Sequence, residues 1–181
     1  MVNKVYQEIS CCFTGHRPPK LSWRYDENNE KCVRLKLILK EQISKLREKG
    51  VRLFLTGMAD GVDIYAAEAV IELKKEHPEW KIKLIGIIPY TGQEGHPGTK
   101  YYSRYQNILQ NADRFFILSP HYTQDCLLER NRFMVDQCKY VLAVYNGEKG
   151  GTGYTINYAK QKNRDITIID PETIEISHQH R

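Results

Sequence analysis

The sequence has 181 residues, of which 41% are hydrophobic, and this size and composition suit one domain with one core. Its 27 Lys and Arg are interspersed with 22 Asp and Glu, so the formal net charge of +5 favours an anionic small ligand over a dedicated nucleic-acid arm. No apolar run approaches the roughly 20 residues of a membrane span, and the first eight residues lack a signal-peptide pattern. We therefore expect a soluble, cytoplasmic protein without a membrane partner.

The cysteines are odd in number, and none lies in a CxxC pair or beside a histidine at metal-ligand spacing. We expect buried thiols in a reducing compartment, with no metal site and no resident cofactor. These residues are Cys11, Cys12, Cys32, Cys126 and Cys138.

Apolar, β-prone segments alternate along the chain with amphipathic helical segments, a pattern typical of a parallel sheet covered on both faces. The predicted strands are 9–14, 51–56, 81–88, 114–118, 140–145 and 166–169. The predicted helices are 29–49, 62–76, 101–111, 126–137 and 150–162. Because β-crossover-β units are right-handed, this order predicts a single α/β domain over 1–181, a Rossmann-like doubly wound, mostly parallel sheet with helices on both faces. Its core spans about 9–170, and the polar tail, 172–181, is predicted to be loose.

The loop from Asn146 to Gly153 contains the densest run of glycines after a predicted strand. Glycines let the backbone approach an anion, and the free N–H groups of the following helix point at it. Gly150, Gly151 and Thr152 are therefore predicted to hold a phosphate, with Asn146 nearby. The alternative is an ordinary glycine-rich turn in which Thr152 caps the helix.

A second glycine-bearing turn, 57–63, also leads from a predicted strand into a helix, so two helix N-termini are predicted to converge on one crevice. Asp60 and Asp63 could hydrogen-bond sugar hydroxyls; alternatively, they cap the helix and complement its dipole. The remaining candidates in this turn are Gly57, Met58, Ala59 and Gly61.

Two further segments carry cationic side chains. Gly15, His16 and Arg17 follow the first strand, where an arginine can pair bidentately with phosphate; the alternative is a surface arginine without a role. Arg130 and Asn131 lie at the start of a helix, where a solvated charged face is the ordinary interpretation.

Four segments, taken together and in this order, resemble the SLOG superfamily, which includes the DNA-processing protein DprA/Smf, the LOG phosphoribohydrolases and the YpsA-like proteins. The likeness is strongest to the YpsA-like group. The 57–63 turn is similar to the S-G-x-A-x-G-I-D segment of DprA, and Arg130-Asn131 is similar to its R-N-R segment. The resemblance implies a Rossmann-like domain that binds nucleotides or nucleotide derivatives, and a bacterial role linked to cell division or stress signalling. The segments are Thr14-Gly15-His16-Arg17-Pro18, Thr56-Gly57-Met58-Ala59-Asp60-Gly61-Val62-Asp63, Arg130-Asn131 with Met134-Val135-Asp136, and Gly150-Gly151-Thr152.

One departure bears on catalysis. LOG enzymes carry P-G-G-x-G-T-x-x-E, whereas residues 150–157 here contain no carboxylate, so the acid/base group for N-glycosidic hydrolysis is missing. We therefore predict binding or sensing of a small phosphorylated ligand and assign no catalytic residue. The first alternative is a LOG-like hydrolase with Glu129, Asp60 or Glu94 as the carboxylate. The second is a DprA-like binder of single-stranded DNA, and a homodimer is compatible with either.

Overall fold

The computed structural model describes residues 4–179, which form one sheet and the helices that flank it. The strands are β1 (Ser10–Gly15), β2 (Leu53–Thr56), β3 (Lys83–Ile88), β4 (Arg114–Ile117), β5 (Tyr140–Val144), β6 (Asp165–Ile169) and β7 (Ile176–Gln179). The helices are α1 (Lys4–Glu8), α2 (Glu30–Glu48), α3 (Val62–Glu76), α4 (Lys100–Asn111), α5 (Cys126–Gln137) and α6 (Gly151–Gln161), with short 3-10 turns at Pro18–Lys20 and Pro78–Trp80.

The sheet has the strand order β4-β3-β2-β1-β5-β6-β7. Neighbouring strands are parallel from β4 to β6, and β7 pairs antiparallel with β6. This confirms the predicted α/β doubly wound fold. From β1 the chain runs outward to β4 and then returns to β5 on the other side, so the crossovers diverge beyond the carboxyl ends of β1 and β5. Ligands of such sheets bind at this switch point.

Helices cover both faces of the sheet because each has an apolar stripe at helical spacing. On α2 the buried residues recur every three or four positions, namely Cys32, Leu35, Leu39, Ile43 and Leu46. These pack with Phe13 and Phe54 on one face, whereas α5 and α6 pack on the other face around Cys12 and Val135. All five cysteines are buried free thiols, as predicted. Within residues 4–179, no helix is both long and apolar enough to cross a membrane.

The structure corrects the prediction at both ends of the chain. A short helix, α1, precedes β1, where no element was predicted. The prediction of a loose tail is wrong for residues 172–179, because β7 adds to the sheet with Ile176 opposite Ile169. The Asp170 carboxylate forms the turn between them by accepting the N–H groups of Glu172 and Thr173 at 2.7 and 3.1 Å. Residues 180–181 lie outside the described part of the chain.

Candidate ligand site

A cavity of about 460 Å³ lies at the switch point, beyond the carboxyl end of β1. We call it the β1 cavity. Its wall comes from the end of β1, the 3-10 turn that follows, and the N-terminal parts of α3, α5 and α6. The predicted residues that line it are Gly15, His16, Arg17, Ala59, Asp63, Arg130, Asn131, Gly150, Gly151 and Thr152. The other candidates, Gly57, Met58, Asp60, Gly61 and Asn146, are not part of its lining.

The 150–152 turn is open toward the β1 cavity. Helix α6 begins at Gly151, its N-cap is Gly150 with φ 153°, and no side chain caps it. Thr152 is therefore not an N-cap, so the capping role considered for it is wrong. The first N–H groups of a helix have no acceptor within it, so those at the start of α6 are free to bind an anion. A β-carbon on Gly151 would meet nothing within 4 Å, so there is open space beside this residue.

Lys20 lines the β1 cavity and contacts the loop before α6, and the sequence analysis missed it. Its Nζ donates to the Lys149 carbonyl at 2.8 Å and lies 3.9 Å from the Glu148 carboxylate. A β-carbon on Gly150 would lie 3.0 Å from this ammonium group. The two prolines after Arg17 could have indicated this role, because they favour a 3-10 turn at Pro18–Lys20 that directs the lysine back toward the cavity.

The 57–63 turn, in contrast, is closed by the protein itself. The N–H of Val62 donates to the His16 carbonyl at 3.3 Å, and the N–H of Gly61 donates to the Asp60 carboxylate at 2.9 Å. Gly61 has φ 94°, and a β-carbon there would lie 2.7 Å from the His16 carbonyl oxygen. Both helix N-termini reach the β1 cavity, but the His16 carbonyl of the β1 loop already accepts the first N–H of α3.

Arg130 is buried beneath the β1 cavity and is only 4% exposed, so its interpretation as part of a solvated charged face is wrong. Its Nη1 donates to the Gly57 carbonyl, and its Nε donates to the Asn131 side-chain oxygen at 2.8 Å. A β-carbon on Gly57 would collide with the guanidinium group, so this glycine makes room for it. Burial lowers the pKa of Arg130, but an arginine remains charged in proteins.

Asn131 connects this guanidinium to the open turn. While its oxygen accepts from Arg130, its amide nitrogen donates to the Thr155 hydroxyl at 2.9 Å. That hydroxyl donates in turn to the Gly151 carbonyl at 2.8 Å. Asn131 is thus a positioning residue that fixes the distance between the buried cation and the N-terminus of α6.

Asp63 places a carboxylate in the same cavity and is 6% exposed. Burial raises its pKa, while the Arg130 guanidinium opposes the shift. Its Oδ2 accepts the Ala59 N–H at the long distance of 3.4 Å, which leaves acceptor capacity for a hydroxyl of a ligand.

The carboxylates considered for hydrolysis lie elsewhere. Asp60 lines a second cavity, of about 390 Å³, together with Glu27, Tyr65 and Arg104. Glu129 is exposed, Glu94 is half-buried, and neither is in the lining of either cavity. The hydrolase alternative therefore has none of its three carboxylates in the β1 cavity.

His16 is buried at the rim of the site, and burial lowers its pKa. Its Nε2 lies 2.7 Å from the Asn146 side-chain oxygen, which also accepts the N–H of Glu148 at 3.2 Å. Because that oxygen is an acceptor, the network assigns the proton to Nε2. Asn146 thereby links the β1 loop to the loop before α6 without lining the cavity itself.

The other residues that the sequence analysis missed form a partly apolar wall. They are Phe13, Thr14, Pro19, Gln124, Leu127 and Leu128. Leu127 and Leu128 precede Arg130 by one helical turn or less. A correct prediction that Arg130 is buried would therefore have identified both leucines as residues of the cavity wall.

The family model described as the YspA SLOG family matches residues 11–174, which is most of the chain. The chain belongs to this family. A UPF0398 protein of Halalkalibacterium halodurans is 30% identical over 169 residues, which cover 90% of this chain and 88% of the relative. A UPF0398 protein of Staphylococcus epidermidis is 30% identical over 153 residues, which cover 82% of this chain and 76% of the relative.

Two solved structures share the fold. DNA processing protein A of Streptococcus pneumoniae aligns with a TM-score of 0.61 at 17% identity over 95% of this chain, which spans about half (54%) of that protein. The Helicobacter pylori protein, described for its single-stranded DNA binding mode, aligns with a TM-score of 0.60 at 20% identity. That alignment covers 93% of this chain and 68% of that protein. At these identities the likeness establishes the Rossmann-like fold.

Proposed function

We propose that the β1 cavity binds a nucleotide or nucleotide derivative, with a phosphate at the open N-terminus of α6. One observation carries the proposal: an uncapped helix N-terminus faces a cavity that is also lined by Arg17, Lys20 and Arg130. A helix N-terminus together with cationic side chains is a ready-made site for a phosphate group.

The two arginines are expected to contribute differently. Arg130 is buried and held by Gly57 and Asn131, so it loses little freedom when an anion binds. Arg17 is exposed and must be ordered by the ligand. Each charge-assisted hydrogen bond to a phosphate contributes about 1.5–3 kcal/mol.

The rest of the cavity suits the remainder of a nucleotide. Asp63 offers acceptor oxygens to sugar hydroxyls, and Leu127 and Leu128 offer an apolar surface to a base or sugar. A volume of about 460 Å³ lies within the range of about 300–1,000 Å³ that small-molecule sites occupy.

A thermal-shift screen against nucleotides, cyclic nucleotides, NAD and ADP-ribose tests the proposal. A ligand at 100 times its dissociation constant adds about 2.7 kcal/mol, which raises Tm by several degrees in a domain of this size. Gly151→Phe fills the open space beside this residue, so we expect it to abolish the shift and leave the Tm without ligand nearly unchanged. The matched control is Asn157→Phe, at an exposed position on the same helix and outside the cavity, and it should respond like wild type.

A shift that survives in Gly151→Phe would place the ligand elsewhere and contradict the assignment. Silence of the wild-type protein across the whole panel would contradict nucleotide binding itself.

Single-stranded DNA binding is the second candidate, because the Helicobacter pylori protein, whose fold matches this chain, is described as binding single-stranded DNA. Titrating oligothymidylate at several salt concentrations separates the candidates. A strand that contacts many phosphates loses affinity steeply with salt, with a slope of about −0.7 per phosphate, whereas a mononucleotide in the β1 cavity should show a shallow dependence.

A further inference from the structure

The two edges of the sheet differ in character. At one edge, β7 ends in the polar residues Ser177, His178 and Gln179. At the other edge, β4 and the residue after it expose a continuous apolar run, which we call the β4 edge: Phe115 (51% exposed), Phe116 (48%), Ile117 (48%) and Leu118 (39%). The neighbouring strand β3 has a similar apolar composition, but most of its apolar side chains are buried.

The sheet face beside the β4 edge is only partly covered. A groove of about 600 Å³ lies there between Phe116 of β4 and Phe133 of α5. Its lining includes the half-buried Leu53 and Ile85, the buried Leu55 and Ile87, and the charged residues Lys83, Asp113 and Arg114. This groove lies on the face that α5 and α6 cover farther along, next to β1 and β5. The contiguous exposed apolar surface is the run of residues 115–118, and a surface of this kind marks an interaction site.

The backbone of the β4 edge has outward-pointing N–H and C=O groups that a further strand could pair with. The N–H of Leu118 donates inward to the Ile88 carbonyl at 2.9 Å. Since bonding alternates along a strand, the N–H and C=O groups of Phe115 and Ile117 point outward, where the described chain has no further strand. Exposed edges are usually protected by charged side chains, proline or a bulge. In β4 only the first residue, Arg114, is charged, and residues 115–118 are all apolar.

We propose that β4 pairs antiparallel with the β4 of a second copy of this chain, around a twofold axis at Phe116. In this register Phe115 of each copy opposes Ile117 of the other and exchanges both outward hydrogen bonds with it. Phe116 then faces its own symmetry mate as a non-hydrogen-bonded pair, in which the Cα atoms approach to about 4.5 Å and the side chains are closest. The result is one continuous sheet through both copies.

A second copy fits better than a lone foreign strand because both faces of the β4 edge are apolar. Phe115 lies on the α4 face against Gly86, whereas Phe116 lies on the groove face. A symmetric partner continues the same alternation in the plane of the sheet, so each exposed apolar side chain of one copy lies beside an apolar side chain of the other on the same face. Taking roughly 200 Å² for each phenylalanine, the exposed parts of Phe115 and Phe116 amount to about 200 Å² per copy. Ile117 and Leu118, which are 48% and 39% exposed, add to this area, and specific interfaces bury about 1,200 Å² or more in total.

Sedimentation equilibrium of the full chain at several concentrations tests the proposal. We expect the mass of the wild-type protein to rise from 21.2 kDa toward twice that value. Phe116→Glu places two like charges face to face and should keep the protein monomeric, and Phe116→Lys should do the same. An equimolar mixture of the two variants should restore the dimer, because only a twofold axis at Phe116 sets the glutamate against the lysine.

The matched control is Leu37→Glu, which alters an exposed apolar residue on α2 and should dimerise like wild type. Circular dichroism melting of each variant confirms that it is folded. A wild-type protein that stays at 21.2 kDa throughout would overturn the proposal, and so would a dimer that persists in both Phe116 variants or a mixture that fails to associate.

Discussion

Two glycine-bearing turns lead from a strand into a helix at the same edge of the sheet, yet they present opposite chemistry. In the 57–63 turn, the carbonyl of His16 accepts the N–H of Val62, and the Asp60 carboxylate accepts the N–H of Gly61. In the 150–152 turn, no side chain caps α6, and the space beside Gly151 is open. Glycine serves close packing in the first turn and access in the second, so a glycine-rich strand-to-helix turn does not by itself identify an anion site.

The largest expected effect distinguishes the two turns by stability. Gly57→Ala sets a β-carbon against the Arg130 guanidinium and the Asp63 carboxylate, and overpacking of this kind costs about 1–3 kcal/mol. Gly151→Ala, the matched change in the open turn, should alter the free energy of unfolding by less than about 0.5 kcal/mol. Urea unfolding of both variants measures the two free energies of unfolding. Equal losses of stability would show that the two turns do not differ in packing.

Replacing the exposed Arg17 tests the open turn through its affinity for a nucleotide. Arg17→Gln removes a charge-assisted hydrogen bond to the phosphate, so affinity for a nucleotide identified in the thermal-shift screen should fall about tenfold or more. Stability should stay at the wild-type level, since the side chain is exposed. Isothermal titration of this variant beside Arg34→Gln, which removes an exposed arginine from α2, provides the check. Equal affinities in the two variants would exclude Arg17 from the site.

The smallest expected effect is a weaker pH dependence of stability when His16, whose carbonyl closes the 57–63 turn, is replaced by glutamine. Burial lowers the pKa of His16 below its ordinary value of 6.5, so the unfolded chain binds this proton more readily than the folded one. The stability that neutral His16 contributes is therefore present above about pH 6.5 and is lost as the pH falls toward the lowered pKa. Unfolding free energies measured across this range should decline less in His16→Gln than in wild type. The exposed His121→Gln should follow wild type, and identical curves for all three proteins would contradict the assignment.

The sequence was sufficient to predict the central strands and helices, because hydrophobic periodicity and glycine or proline stops are local signals. It was not sufficient for β7, since Ser177, His178 and Gln179 show no apolar alternation and are ordered by pairing with β6. The tail was recognisable as a strand only through its partner.

Within the candidate site, the sequence predicted which loops meet but not how each residue acts. Arg130 has charged and polar neighbours, which is typical of a surface helix, and only the missing side chain of Gly57, 73 residues away, makes room for its burial. The closure of the 57–63 turn likewise depends on a backbone carbonyl of the β1 loop. Such roles depend on contacts between distant segments, which composition and spacing do not encode.

Phosphate binding at the N-terminus of α6 is tested most directly by an NMR titration of the isotopically labelled protein with AMP, following the backbone amides of both turns. We expect the amide signals of Gly151 and Thr152 to shift until the site is saturated. Those of Gly61 and Val62, whose protons are already donated within the protein, should stay nearly in place. Shifts concentrated at Gly61 and Val62, with Gly151 and Thr152 unmoved, would contradict phosphate binding at α6.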